Sequence, residues 1–90
     1  MATERPVTLS LRLSESYGAR RVSVCGDFTA WVPVDVPSDG HDTFAIQLVV
    51  PQGQRWHYRF CLDDRTWIND PAADDYDLER DGSGISVRFS

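Results

Sequence analysis

Two tryptophans and an arginine are the residues of this chain whose types and placement best suit holding a ligand. Trp31 ends the run Gly26-Asp27-Phe28-Thr29-Ala30-Trp31, Arg59 is the centre of Tyr58-Arg59-Phe60, and Trp67 opens Trp67-Ile68-Asn69-Asp70-Pro71. Both tryptophans fall where strand-like sequence gives way to a loop, and Arg59 is outward by strand phase. An indole offers a broad flat apolar plate at low ordering entropy, and a guanidinium offers a fork of directed donors. Together they suit a ring with an apolar C–H face and a rim of hydroxyls, which is the chemistry of a sugar. Asn69 adds a further donor near Trp67. Each has a plainer reading beside this one: Trp31 as a corner cap on the core, Arg59 as a solvated cation, Asn69 as a turn former before Asp-Pro.

Other chemistries find less support. Fourteen acidic residues make a carboxylate pair arithmetically easy, so their number decides nothing. A glycosidase needs two carboxyls about 5 to 9.5 Å apart across an enclosing cleft, which a chain this short has little room to build. Neither a nucleophile elbow, nor a zinc-binding H-E-x-x-H, nor a phosphate-cradling glycine loop is present, so a non-enzyme is expected, with no cofactor. The stretch Asp77-Leu78-Glu79-Arg80-Asp81-Gly82 imitates the front of a calcium loop. Its twelfth position, however, is Arg88 rather than a bidentate glutamate. His41 and His57 read as solvent-facing. Cys25 and Cys61, without C-x-x-C spacing, are expected as free thiols.

The elements that position these residues read as strands. Val7-Thr8-Leu9-Ser10-Leu11-Arg12-Leu13 alternates strictly between apolar and polar, the mark of a half-buried strand. Arg21–Gly26 puts Val22 and Val24 inward with Ser23 and Cys25 opposite. Val32–Val36 carries Pro33 and reads as an edge. Thr43–Val50 alternates with Phe44, Ile46, Leu48 and Val50 on one face, and Pro51-Gln52-Gly53 connects it to Gln54–Leu62. There Trp56, Tyr58, Phe60 and Leu62 point inward while Arg55, His57, Arg59 and Cys61 point outward. Thr66–Ile68 starts a short strand, residues 70–84 read as an acidic surface loop, and Ile85–Phe89 closes the chain as a strand. Residues 1–6 read as a polar lead.

No segment carries a helical period, so almost no helix is expected. About seven short strands at roughly 8- to 12-residue spacing predict an all-β, immunoglobulin-like antiparallel sandwich. Ninety residues fit one such domain, with an ordered core over about 7–89. The composition is that of a globular chain, 41% hydrophobic and 26% charged. A net charge of -5 argues against nucleic acid or an anionic membrane surface as partner and leaves a neutral polymer open. With no apolar leader and no apolar run near about 18 residues, a cytoplasmic location is expected.

Three ordered motifs carry a resemblance. Gly26-Asp27-Phe28-Thr29-Ala30-Trp31 resembles the G-x-F-x-x-W of carbohydrate-binding module family 48, the type of the glycogen-binding domain of AMP-activated kinase beta subunits and of isoamylase N-terminal domains. Pro51-Gln52-Gly53 with Tyr58-Arg59-Phe60 is similar to its P-x-G followed by Y-[KR]-F, and Trp67–Pro71 to its W-x-x-D-P. The resemblance implies an early-set immunoglobulin-like domain that binds glycogen, starch or maltooligosaccharides without cleaving them. It implies Trp31 and Trp67 as the stacking plates and Arg59 as the hydroxyl-bonding cation. The family's asparagine before the last strand is missing, and Ser83 is the nearest hydrogen-bonding substitute. The turns after Gly53 and at Asp63-Asp64-Arg65 each run one residue longer than the pattern. The partner implied is an α-glucan. The alternative is a protein-protein interaction module, or an accessory domain of a glucan-processing enzyme or kinase-like complex, that uses the same aromatic face to dock a partner such as a glucan-metabolising enzyme.

Overall fold

Alternating apolar residues build the inner faces of two antiparallel sheets in the computed structural model, which describes residues 5–90. Strand β1 (Pro6–Ser14) pairs with β4 (Thr43–Pro51) to form the smaller sheet, with Leu11 opposite Ile46 and Leu13 opposite Phe44. The larger sheet contains β2 (Val22–Gly26), β3 (Val34–Val36), β5 (Arg55–Leu62), β6 (Thr66–Ile68), β7 (Asp75–Leu78) and β8 (Gly84–Phe89). Its order is β3-β2-β5-β8-β7, with β6 also on β5. All ladders are antiparallel, and the result is an all-β sandwich of immunoglobulin-like type. Helical structure among the described residues is two single turns of 3-10 helix, Glu15–Tyr17 and Asp27–Thr29.

The core is the set that the alternation marks. Leu11, Leu13, Val22, Val24, Val36, Phe44, Tyr58, Phe60 and Leu62 form one buried cluster. Each large apolar side chain withdrawn from water there contributes about 1.5 to 3 kcal/mol. Trp56 lies half-buried at its margin, tilted against Phe28 at 5.9 Å, and donates its indole N–H to the Ser90 hydroxyl at 3.0 Å. Pro33 falls just before β3, which is an edge strand, as expected of a residue that cannot donate to a ladder.

Two readings of the sequence need correction. Residues 70–84 are not all loop: Asp75–Leu78 is a strand that pairs with β8, with Asp77 opposite Ile85. Its aspartates alternate onto the face that carries Arg55 and His57, and ion pairing replaces the apolar signal that strand reading looks for. The polar lead also ends sooner than expected, because Pro6 opens β1; its first four residues lie outside the described residues. Cys25 and Cys61 are free and buried, and loss of water pushes both thiols upward in pKa.

Candidate functional site

The corner after β2 explains why its motif has these residues at this spacing. A Cβ on Gly26 would lie 2.5 Å from the His57 carbonyl oxygen and 2.6 Å from the Tyr58 Cβ, so only glycine lets β2 come this close to β5. Phe28 turns back and packs on Trp56 and Tyr58, with ring centroids 5.9 and 5.7 Å away. The Thr29 hydroxyl bridges both backbone groups of Gly26 at 3.1 Å, and the Trp31 amide donates to the Gly26 carbonyl at 2.9 Å. Ala30 and Trp31 then both take left-handed backbone conformations, φ 53° and 60°. Such residues cost about 1 to 2 kcal/mol each, a strain that the surrounding contacts hold in place. The outcome is an indole that faces solvent, with Trp31 43% exposed.

Trp31 does not stand free. Its Nε1–H donates to Asp27 Oδ1 at 3.0 Å, and Asp27 Oδ2 accepts the His57 amide at 2.9 Å. The same oxygen lies 3.2 Å from His57 Nδ1, while His57 Nε2 lies 2.6 Å from Asp77 Oδ2. Arg55 pairs with both Asp75 and Asp77. His57 is therefore on the outward face as expected, but part-buried and held between two carboxylates, one of them brought by β7. The Arg55 guanidinium, with His57 second, holds the Asp77 carboxyl down at about 2, and the Asp77 contact raises the His57 pKa above its ordinary value. Asp27, Trp31, His57, Asp77, Leu78, Glu79 and Ile85 line one open hollow, beside which Leu78 is 80% exposed.

Strand register places Trp67 on the same face. It stands directly opposite Cys61, two positions beyond Arg59 and four beyond His57 on the outward side of β5. At about 3.3 Å per residue, His57 to Cys61 covers roughly 13 Å of strand. Trp67 is 51% exposed. Arg59, opposite Cys25, lies between Cys61, which Trp67 faces, and His57, which Asp27 links to Trp31.

The arginine is more constrained than an outward phase suggests. Beyond β2, β5 pairs with β8 only over Arg55–Tyr58 and with β6 only over Phe60–Leu62, which leaves Arg59 at the gap between these ladders. Its Nη2 donates to the Gly84 carbonyl at 2.9 Å and lies 3.9 Å from Glu79. Asn69 closes the same gap: its Nδ2 donates to Gly84 O at 2.8 Å and its Oδ1 accepts the Ser86 amide at 3.1 Å. Ser83 shares a second hollow with Arg59, Glu79, Arg80 and Asp81, and its hydroxyl donates to Asp81 at 2.6 Å. Glu79 borders both hollows, and Trp67 and Asn69 border neither. The structure thus puts Trp31, Arg59 and Trp67 along one face, while the polar atoms of Asn69 and Ser83 are engaged within the protein.

The family model described as the glycogen recognition site of AMP-activated protein kinase matches residues 9–87, most of the chain. The chain belongs to this family. No curated protein matches it. The motifs of a glycogen-recognition module can now be given physical roles. In Trp67-Ile68-Asn69-Asp70-Pro71 the tryptophan is exposed, the asparagine ties β6 to β8, and the aspartate is fully buried. Asp70 accepts from the Tyr58 hydroxyl at 2.5 Å and the Ala72 amide at 2.8 Å, with Arg88 at 3.7 Å. Burial, and then the Asp70 contact, push the Tyr58 phenol strongly upward in pKa. Three residues of this glycogen-recognition module escaped the sequence reading. Asp27 occupies a variable position of its motif. His57 and Leu78 depend on β7, whose only sequence signal was the period-two placement of Asp75 and Asp77 around Tyr76 and Leu78.

Proposed function

We propose that this chain is a non-catalytic α-glucan-binding module that lays the sugar across Trp31 and Trp67, with Arg59 donating to hydroxyls between them. The observation that supports it most is the exposure of two indoles beside the outward face of β5, Trp67 opposite Cys61 and Trp31 linked through Asp27 to His57, with the Arg59 guanidinium on the strand between those points. The family match points to the same ligand class. Sugar C–H faces stack on indoles, and the free donors of Arg59 remain available beside its bond to Gly84. Leu78 extends the apolar surface beside Trp31, and the carboxylates of Asp27 and Glu79 can accept from hydroxyls.

The face is open rather than enclosing, so binding is weak, millimolar to micromolar, about -4 to -8 kcal/mol. Titration of intrinsic tryptophan fluorescence with maltoheptaose, with cellohexaose as control, tests this reading. A saturable change with the α-linked sugar alone supports it, and no change at millimolar sugar refutes it.

A further inference from the structure

The geometry points to His57 as a positioning residue for Trp31: its doubly protonated ring holds Asp27 in the orientation that fixes the indole, so the sugar platform is set on the acid side of the His57 titration and loosened on the alkaline side. The pH dependence of affinity rests on the glucan reading above; the coupling of His57 to Trp31 does not.

The connection is continuous. One Asp27 oxygen accepts the Trp31 indole N–H, and the other faces His57 Nδ1 and accepts the His57 amide. An imidazolium donates from both ring nitrogens, to Asp27 on one side and Asp77 on the other. A neutral ring carries a single N–H. The shorter contact, Nε2 to Asp77 at 2.6 Å, keeps it, and the Nδ1 lone pair then faces Asp27 Oδ2 at 3.2 Å. Two electron-rich atoms at that distance repel. Asp27 can relieve this by rotating, and rotation disturbs its bond to the indole. The left-handed pair Ala30–Trp31 leaves the backbone of the corner little room to compensate.

Every element packed around the ring bears on the titration. The 3-10 turn brings Asp27, and β7 brings Asp77, with Arg55 and Asp75 behind it. On its own strand, Arg59 is the next outward residue, and Glu79 borders the same hollow. From β8 the residue opposite is the uncharged Val87, and from β2 the nearest titratable group is Cys25, whose buried thiol stays protonated. The carboxylates adjoin the ring directly, while the arginines act at one remove, so the cation is favoured and its loss moves to higher pH.

The test is an NMR titration of the free chain between about pH 5.5 and 9, a window chosen to bracket histidine ionisation. It follows the His57 ring and the Trp31 indole N–H, assigned with His57→Gln and Trp31→Phe. The indole signal of Trp31 is expected to move with the same inflection as His57 and to lose that inflection in His57→Gln, while the Trp67 signal stays level. In parallel, maltoheptaose affinity is expected to weaken about three- to ten-fold across the inflection, the loss of part of one charge-assisted hydrogen bond. A Trp31 signal that stays level while His57 titrates overturns the proposal, and that wild-type measurement stands even if the variant fails to fold. A constant affinity across the inflection overturns it as well. If no α-glucan binds at any pH while Trp31 tracks His57, the glucan reading falls and the positioning role stands.

Discussion

Arg59 and Asn69 donate to one and the same acceptor, the carbonyl oxygen of Gly84, at 2.9 and 2.8 Å. The first residue of β8 thereby fixes the guanidinium in the gap where neither neighbouring ladder reaches. An arginine held this way loses less freedom when a ligand arrives, which favours directed hydrogen bonding over loose charge attraction. Arg59→Lys keeps the charge and loses the fork. It is expected to weaken maltoheptaose binding by about 1 to 2 kcal/mol with little change in melting temperature, measured by calorimetric titration beside thermal unfolding.

Gly26 is a point where two strands nearly touch. Gly26→Ala drives a methyl into the backbone of His57 and the Cβ of Tyr58. The expected loss is about 2 to 3 kcal/mol, the upper part of the range for overpacking because the clash is with backbone, read from the urea midpoint. Unchanged stability would mean that β2 and β5 can part at little cost, and the account of the corner would be wrong.

Asp70 is a buried anchor rather than a sugar contact. Asp70→Ala removes the acceptor for the Tyr58 hydroxyl and the Ala72 amide and leaves Arg88 with Asp74 and the Ser10 carbonyl alone, for an expected cost of about 3 to 5 kcal/mol. Tyr58→Phe leaves the carboxylate short of one donor and is expected to cost about 1 to 3 kcal/mol. Chemical denaturation of both variants separates these values.

Two titrations act on stability with opposite sign. The folded state raises the His57 pKa, so that contribution is full below the ordinary histidine value near 6.5 and is lost as pH rises through the folded value. The Asp77 carboxyl is held down at about 2, so its contribution is present above the ordinary carboxylate value and is lost as pH falls through about 2. Melting temperature is therefore expected to fall on the alkaline side of His57 in the wild type and to stay flatter in His57→Gln.

Strand phase alone made most of this legible. The alternation of Val7 to Leu13, and of Trp56 to Leu62 against Arg55 to Cys61, gave the inner and outer faces that the structure carries. The placement of Trp31 and Trp67 outside the core followed from corners and turns. β7 stayed hidden because Asp75 and Asp77 are held by Arg55 and His57 and not by apolar burial, and long-range ion pairs leave no local period. The engagement of Asn69 with Gly84 and Ser86 was out of reach for the same reason, whereas Ser83 is held locally by Asp81 two residues before it. Which donors a polar side chain meets depends on how β5 divides its edge between β6 and β8.

The account stands most directly on where an α-glucan touches this chain. Indole N–H signals of the three tryptophans, followed during a maltoheptaose titration, report this residue by residue. The expected result is saturable shifts at Trp31 and Trp67 with Trp56 unmoved. A shift confined to Trp56, or none at all, would contradict the proposed face.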